Sequence, residues 1–77
     1  MAIAFSIYNT STSNLGAHEG EETGILLEGR LELTVGLETF LLEAGDSYYF
    51  ESSKPHRFRN PFDVAARLIS AATPANF

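Results

Sequence analysis

Hydrophobic and polar residues alternate along much of this chain, and a repeat of two is typical of β-strands with one buried face. In residues 30–35, the apolar Leu31, Leu33 and Val35 alternate with polar neighbours, so we predict a strand with these three side chains turned inward. Similar alternation, or enrichment in aromatic and branched residues, predicts further strands over residues 2–8, 39–43, 47–50, 56–60 and 64–70.

Glycines and other turn-forming residues separate the predicted strands. The six glycines all lie between positions 16 and 45, and each would cost a helix about 1 kcal/mol relative to alanine, which argues against a long helix there. We predict a hairpin turn at Gly36, a second turn at residues 44–47 and a polar loop at residues 9–14. Seven or eight short strands joined by turns predict an all-β barrel or sandwich.

The small size of the chain limits the hydrophobic core that it can bury. It has 77 residues and no cysteine, so neither disulfides nor thiolate metal ligands can stabilise it. The apolar fraction of 44% is nevertheless that of a folded protein rather than a disordered one. We therefore expect additional stabilisation from a metal ion or a second chain, and we predict a homodimer.

The charge distribution argues against two classes of partner. Five basic residues stand against ten acidic ones, for a net charge of −5, and no run of Lys or Arg offers the clustered positive surface that binds a phosphate backbone. The apolar runs are too short to span a membrane, and the N-terminal residues lack the pattern of a signal peptide. We predict no nucleic-acid binding through this chain itself, no membrane association and a cytoplasmic location.

Three side chains form a candidate metal site. If residues 16–24 are extended, His18 and Glu22 share one face with glycines that leave space beside them. His56 is the other histidine of the chain and lies in a later predicted strand. Two imidazoles and one carboxylate can hold one divalent ion, such as Fe, Mn, Ni or Zn, and leave positions open for water or a ligand.

Two spaced motifs resemble those of the cupins, a family of small β-barrel proteins. In the first motif, at residues 16–29, His18, Glu22 and Gly29 match the second half of the cupin pattern, spacing included. Gly16 stands where that pattern has its first histidine. One of the four usual cupin ligands is therefore absent, and the resemblance implies the same three-residue metal site.

The second motif, at residues 45–60, begins with Gly45 and places His56 and Asn60 at matching positions, although other residues replace the usual proline and glycine. We predict that Asn60, which precedes a proline, forms a turn rather than a ligand. The two motifs together look most like the cupin domain that follows a helix-turn-helix in transcription regulators of the XRE type. The ligand set is also similar to the iron site of a cupin epoxidase.

The resemblance implies a single cupin domain over residues 1–77, with the jelly-roll barrel that is also called a double-stranded β-helix. It further implies a sensor-type domain that binds a small molecule, with or without a metal. Two alternatives stay open: a small metal-dependent enzyme (an oxygenase, isomerase or epimerase) and a structural dimer module that pairs through residues 2–8. Without a metal, the candidate ligands would hydrogen-bond to each other or to water in the barrel mouth.

The remaining aromatic and leucine positions are predicted mainly to fill the barrel. Phe40, Leu42 and Phe58 are expected in the core, and Phe58 shares its strand face with His56. Among residues 48–50 we expect one or two rings to pack in the barrel and one to line the pocket.

Overall fold

The computed structural model describes residues 2–9, 13–16 and 20–73, with residues 13–16 described as backbone alone. These residues form eight strands: β1 Ala2–Tyr8, β2 Ser13–Gly16, β3 Glu21–Glu28, β4 Arg30–Val35, β5 Glu38–Glu43, β6 Ser47–Glu51, β7 His56–Arg59 and β8 Ala66–Thr73. No helix that could cross a membrane occurs in this part of the chain. The predicted all-β class is confirmed.

The strands form two antiparallel sheets of four. Sheet 1 has the order β1-β8-β3-β6, and sheet 2 has the order β2-β7-β4-β5. Among the described strands, β4 and β5 are the only two that follow each other in the chain and also pair as a hairpin. Every other pair of consecutive strands lies in different sheets. Two facing sheets joined in this way form a jelly roll, which shields the apolar side of each sheet from water.

The core lies between the two sheets, as the alternation predicts. Leu31 and Leu33 are 0% and 3% exposed, and Val35 is partly buried against the same cluster. The buried apolar side chains that pack together are Tyr8, Leu26, Leu31, Leu33, Leu42, Tyr48, Phe50, Phe58, Ala66 and Leu68. Leu42 and Phe58 are therefore confirmed as core residues.

The predicted turns are confirmed at both glycine positions. Gly36 has a φ of 60° and begins the turn between β4 and β5, where a side chain would be strained. Gly45, with a φ of 95°, lies in the turn between β5 and β6. In that second turn the Asp46 carboxylate accepts a hydrogen bond of 2.8 Å from the Glu43 amide.

Two predictions about the N-terminal third are wrong. Residues 9–14 are not entirely a loop, because Ser13–Gly16 pairs with β7 through backbone groups and so needs no apolar side-chain pattern. Residues 16–24 are not one strand either: β2 ends at Gly16 in sheet 2, and β3 begins at Glu21 in sheet 1. Gly20, with a φ of 114°, lies at the bend before β3.

The prediction that Phe40 is a core residue is also wrong. Phe40 pairs with Leu33 and therefore lies on the inner face of sheet 2, but 48% of it is exposed. Strand β5 is one of the two edges of sheet 2, and β6 is one of the two edges of sheet 1. The two edges leave a cleft between them, so an inward-facing side chain on β5 is not covered.

Candidate functional site

Cross-strand pairs bring two of the candidate ligands to the same end of the interior. In sheet 1, Glu22 lies between Phe50 and Ala72. In sheet 2, His56 lies beside Val35. The ring centroids of Phe50 and His56 are 4.8 Å apart, so the two sheets face each other here. We call this region the polar end of the barrel.

The opposite end of the interior is built from aliphatic side chains. Leu26 pairs with Leu68 in sheet 1, and Leu31 pairs with Leu42 in sheet 2. We call this region, together with Ala66, the apolar end. All five of these residues are apolar. The described candidate ligands, Glu22 and His56, therefore both lie at the polar end.

Glu22 is held at the polar end by a tyrosine. Its side chain is 8% exposed, and its Oε2 accepts a hydrogen bond of 3.0 Å from the Tyr48 hydroxyl. Burial raises the pKa of Tyr48 far above its ordinary value, and the charge of Glu22 raises it further. The hydroxyl therefore remains a protonated donor at neutral pH.

His56 is held in one orientation by the loop that precedes it. The ring is 6% exposed, and its Nδ1 lies 2.9 Å from the Lys54 carbonyl oxygen. Because a carbonyl oxygen only accepts, Nδ1 is the donor in this hydrogen bond. The Gly36 amide donates to the Pro55 carbonyl at 2.7 Å, which ties this loop to the β4–β5 turn.

The third predicted ligand, His18, lies outside the described residues. In the described part of the chain, no group of three or more His, Asp and Glu side chains could hold a metal ion. The two described candidates, an inward carboxylate and a buried imidazole, carry donor atoms of the kinds that divalent metals accept. Ser52, near the same end, has a fully buried Oγ with no hydrogen-bond partner among the described residues.

Tyr48 is a residue of the candidate site that sequence reasoning did not single out. Residues 48–50 were expected to pack the barrel or line the pocket, and Tyr48 and Phe50 are buried whereas Tyr49 is 61% exposed. The available signal was that Tyr48 shares the inward parity of Phe50, since a buried tyrosine usually finds a partner for its hydroxyl. The sequence does not show that this partner is Glu22.

A cleft of about 810 Å³ opens between the edge strands β5 and β6. Its walls include Leu33 and Phe40 from sheet 2 and Tyr48 and Phe50 from sheet 1, with Glu38, Glu51 and Lys54 also among its lining residues. Glu22 and His56 do not line the cleft; each instead contacts an aromatic ring that does. The volume and the mixed lining are typical of small-molecule sites.

Asn60, which matches the second motif, has a structural role. It is fully buried, and its Nδ2 donates to the carbonyl oxygens of Tyr8 and Val64, both at 2.9 Å. Its Oδ1 accepts from the Phe62 amide at 3.0 Å. The prediction that Asn60 forms a turn is confirmed: it fixes the loop between β7 and β8.

Comparison with known sequences gives the family and a named relative. The profile of the Cupin domain family matches residues 8–72. The HTH-type transcriptional regulator PuuR of Escherichia coli (strain K12) is 39% identical over 79 aligned residues, which include the whole of this chain and 43% of PuuR. The chain thus spans less than half the length of this relative.

Solved structures of similar fold agree with this result. The Cupin_2 domain of an XRE family transcriptional regulator from Enterobacter cloacae superposes with a TM-score of 0.82 at 18% identity, covering 99% of this chain and 100% of that one. A structure of HppE with Fe(II) and substrate has a TM-score of 0.77 at 26% identity, covering 88% of this chain and 42% of HppE.

Proposed function

This chain belongs to the cupin family, and we propose that it is the small-molecule-binding sensor domain of a cytoplasmic transcription regulator. The relation to PuuR supports this proposal, because it extends over the whole chain. In such a protein, DNA would be bound by a region other than the described strands. A ligand at the polar end or in the cleft would then be the signal that the regulator reads.

The observation that carries the proposal is the burial of Glu22 and His56 from opposite sheets at one end of the barrel. A carboxylate and an imidazole are ligands that divalent metals accept, and their burial at one end of the barrel supports a binding role. We propose that His18, Glu22 and His56 hold one divalent ion, with Fe, Mn, Ni and Zn as candidates. When bound, such an ion supplies a Lewis acid for ligand oxygen or nitrogen atoms.

The metal content of the protein tests this proposal. We expect near-stoichiometric metal, measured by elemental mass spectrometry after incubation with each ion and desalting, and its loss in Glu22→Gln and His56→Ala. Glu21→Gln is the matched control, since Glu21 is the neighbouring carboxylate and is exposed. A wild-type chain that retains no ion would contradict the metal site and leave a metal-free pocket as the sensor.

A metal-dependent enzyme is the second candidate, and the likeness to the Fe(II)-containing HppE structure favours it. The two functions differ in whether the chain turns over a substrate. If the domain is a sensor, the Fe(II)-loaded chain should consume O₂ no faster than the same concentration of free Fe(II) in an oxygen electrode. Faster uptake that is lost in Glu22→Gln would favour an oxygenase.

We further propose that the domain forms a homodimer through the outer face of sheet 1. Ile3, Phe5 and Ile7 lie on one side of the edge strand β1 and are 70%, 57% and 51% exposed. Phe5 pairs with Ile69, which is 37% exposed. A contiguous apolar surface of this kind is typical of an interaction site. The alternative of a structural dimer module would instead pair residues 2–8, at the edge of sheet 1, with the sheet of a second chain.

Sedimentation velocity at micromolar concentration tests the dimer. Phe5→Lys should convert a dimer to a monomer, because it places a charge in the middle of the apolar face. Leu37→Lys is the control: Leu37 is fully exposed in the β4–β5 turn, away from this face. A wild-type chain that sediments as a monomer would exclude the dimer.

A further inference from the structure

We propose that Tyr48 is a positioning residue that orients Glu22 for ligand binding at the polar end. This inference rests on the proposed role of Glu22 as a ligand. Tyr48 and Glu22 are each 8% exposed, and the hydroxyl donates to Oε2 at 3.0 Å. This hydrogen bond fixes the position of Oε2 and so orients the carboxylate, with Oε1 as the oxygen that would bind a metal ion or another ligand.

The neighbouring strand is shaped to accept the Tyr48 side chain. Gly24 pairs with Tyr48 across β3 and β6. A Cβ at position 24 would lie 2.5 Å from the Tyr48 hydroxyl oxygen and 2.6 Å from the Ile69 carbonyl oxygen, so any other residue would displace the tyrosine. We predicted from the sequence that this glycine leaves space beside a bound ligand. In the structure, the side chain of Tyr48, which reaches Glu22, fills that space.

The ring and backbone of Tyr48 are held on several sides. The ring lies 5.8 Å from Phe50 in a stacked arrangement and 5.4 Å from Phe58 edge to face, measured between centroids. The Thr23 hydroxyl donates to the Tyr48 carbonyl oxygen at 2.8 Å. A hydroxyl on so constrained a ring has little freedom to leave Glu22, which is what orientation of a ligand requires.

The neighbouring tyrosine provides a natural comparison. Tyr49 is 61% exposed and lies on the opposite face of β6 from Tyr48. It carries the same hydroxyl at a position that cannot reach the interior. A change from tyrosine to phenylalanine at either position removes a single oxygen atom, so the pair separates the effect of the Glu22 contact from the general effect of losing a hydroxyl.

The first test is the affinity of the purified chain for Zn²⁺, measured by isothermal titration calorimetry. We expect Tyr48→Phe to bind Zn²⁺ at least about tenfold more weakly than the wild type, since loss of a residue that orients a metal ligand typically costs 10–100-fold. Tyr49→Phe should bind as the wild type does. Circular dichroism checks that each variant is folded. Unchanged affinity in a folded Tyr48→Phe would overturn the inference.

A second measurement does not require Tyr48→Phe to fold. The chain has three tyrosines and no tryptophan, and Zn²⁺ has no absorption of its own in the near ultraviolet. If Glu22 binds Zn²⁺ while Tyr48 donates to it, the near-ultraviolet circular dichroism should change on titration in the wild type and equally in Tyr49→Phe. Zn²⁺ binding without any such change would also overturn the inference.

The two proposals fail in different ways. If the wild type binds none of Fe, Mn, Ni and Zn, the proposed metal site is wrong, and the role of Tyr48 toward it is overturned as well. If the wild type binds Zn²⁺ and loses it in Glu22→Gln but not in Tyr48→Phe, the metal site stands and only the positioning role of Tyr48 is excluded.

Discussion

The two ends of the barrel interior both bury their side chains, but those side chains are apolar at one end and include ionisable groups at the other. At the apolar end, Leu26, Leu31 and Leu68 are 0–2% exposed. At the polar end, Glu22 and His56 are 8% and 6% exposed. The depth of burial alone therefore does not show which part of a small core stabilises the protein. Whether a buried side chain raises or lowers the free energy of unfolding depends on whether it is apolar or polar.

The physical difference lies in what each end loses when it leaves water. Burying a leucine contributes about 1.5–3 kcal/mol. A buried carboxylate or imidazole instead loses hydration, and its hydrogen bonds must offset that loss. At the polar end this is done by the Tyr48 hydroxyl for Glu22 and by the Lys54 carbonyl for His56. The apolar end is thus expected to supply most of the stability, and the polar end most of the binding chemistry.

The largest expected effect is at the apolar end. Leu26→Ala should lower the free energy of unfolding by about 2–5 kcal/mol, because it leaves a cavity in a fully buried site. Leu27→Ala, at the next position but 44% exposed, is the control and should cost less than about 1 kcal/mol. Urea denaturation followed by circular dichroism measures both. Similar decreases in the free energy of unfolding for the two variants would contradict the expected difference between the buried and the exposed leucine of β3.

A smaller effect is expected from Gly24→Ala, near the polar end. The added methyl group overlaps the Tyr48 hydroxyl oxygen and the Ile69 carbonyl oxygen, and overpacking of this kind typically costs about 1–3 kcal/mol. Combining Gly24→Ala with Tyr48→Phe should remove the nearest overlap, whereas those with the Tyr48 Cζ atom and the Ile69 carbonyl oxygen remain. The double variant should therefore lose slightly less stability than the sum of the single losses. Additive losses in urea denaturation would show that the overlap with the hydroxyl is unimportant.

The smallest effect is expected at alkaline pH, from the buried Tyr48 at the polar end. The raised pKa of Tyr48 in the folded protein means that the unfolded chain releases this proton first, at the ordinary tyrosine pKa of about 10. The folded state then binds more protons than the unfolded state, so stability falls as pH rises above about 10. By pH 11 the loss due to Tyr48 should be about 1.4 kcal/mol.

Tyr48→Phe is the comparison that isolates this alkaline loss. The variant has no hydroxyl at position 48, so its urea midpoint should fall less than that of the wild type between pH 8 and pH 11. Tyr49→Phe keeps the buried hydroxyl at position 48, so it should retain the alkaline loss that is due to Tyr48. Parallel pH profiles for the wild type and Tyr48→Phe would contradict the effect of burial on the Tyr48 pKa.

Much of the fold follows from short-range patterns. The alternation of Leu31, Leu33 and Val35 reports which face of β4 is buried, because side chains on a strand point to opposite faces in turn. The glycines at positions 36 and 45 report turns, because a positive φ is unstrained for glycine. The spacing of the two motifs placed Glu22 and His56 in one candidate site, and the structure brings these two to the same end of the barrel.

Other features depend on contacts that no short-range pattern contains. Strand β2 is held by backbone pairing with β7, some 40 residues later in the chain. Phe40 has the parity of a core residue, yet the cleft at the sheet edges exposes it. Gly20 changes the direction of the chain between sheets, so the apparent single strand around it joins two different sheets.

The sequence by itself determined the all-β class, the inward positions within strands, the main turns and the family of the chain, because each depends on local periodicity, backbone conformation or motif spacing. Two contacts follow from the folded structure alone: Tyr48 donates a hydrogen bond to Glu22, 26 positions away in the chain, and the Phe50 ring packs against His56 across the interior. The physical reason is that alternation within a strand shows which face of the strand a side chain lies on. Which residues it contacts depends on how the chain crosses between the two sheets.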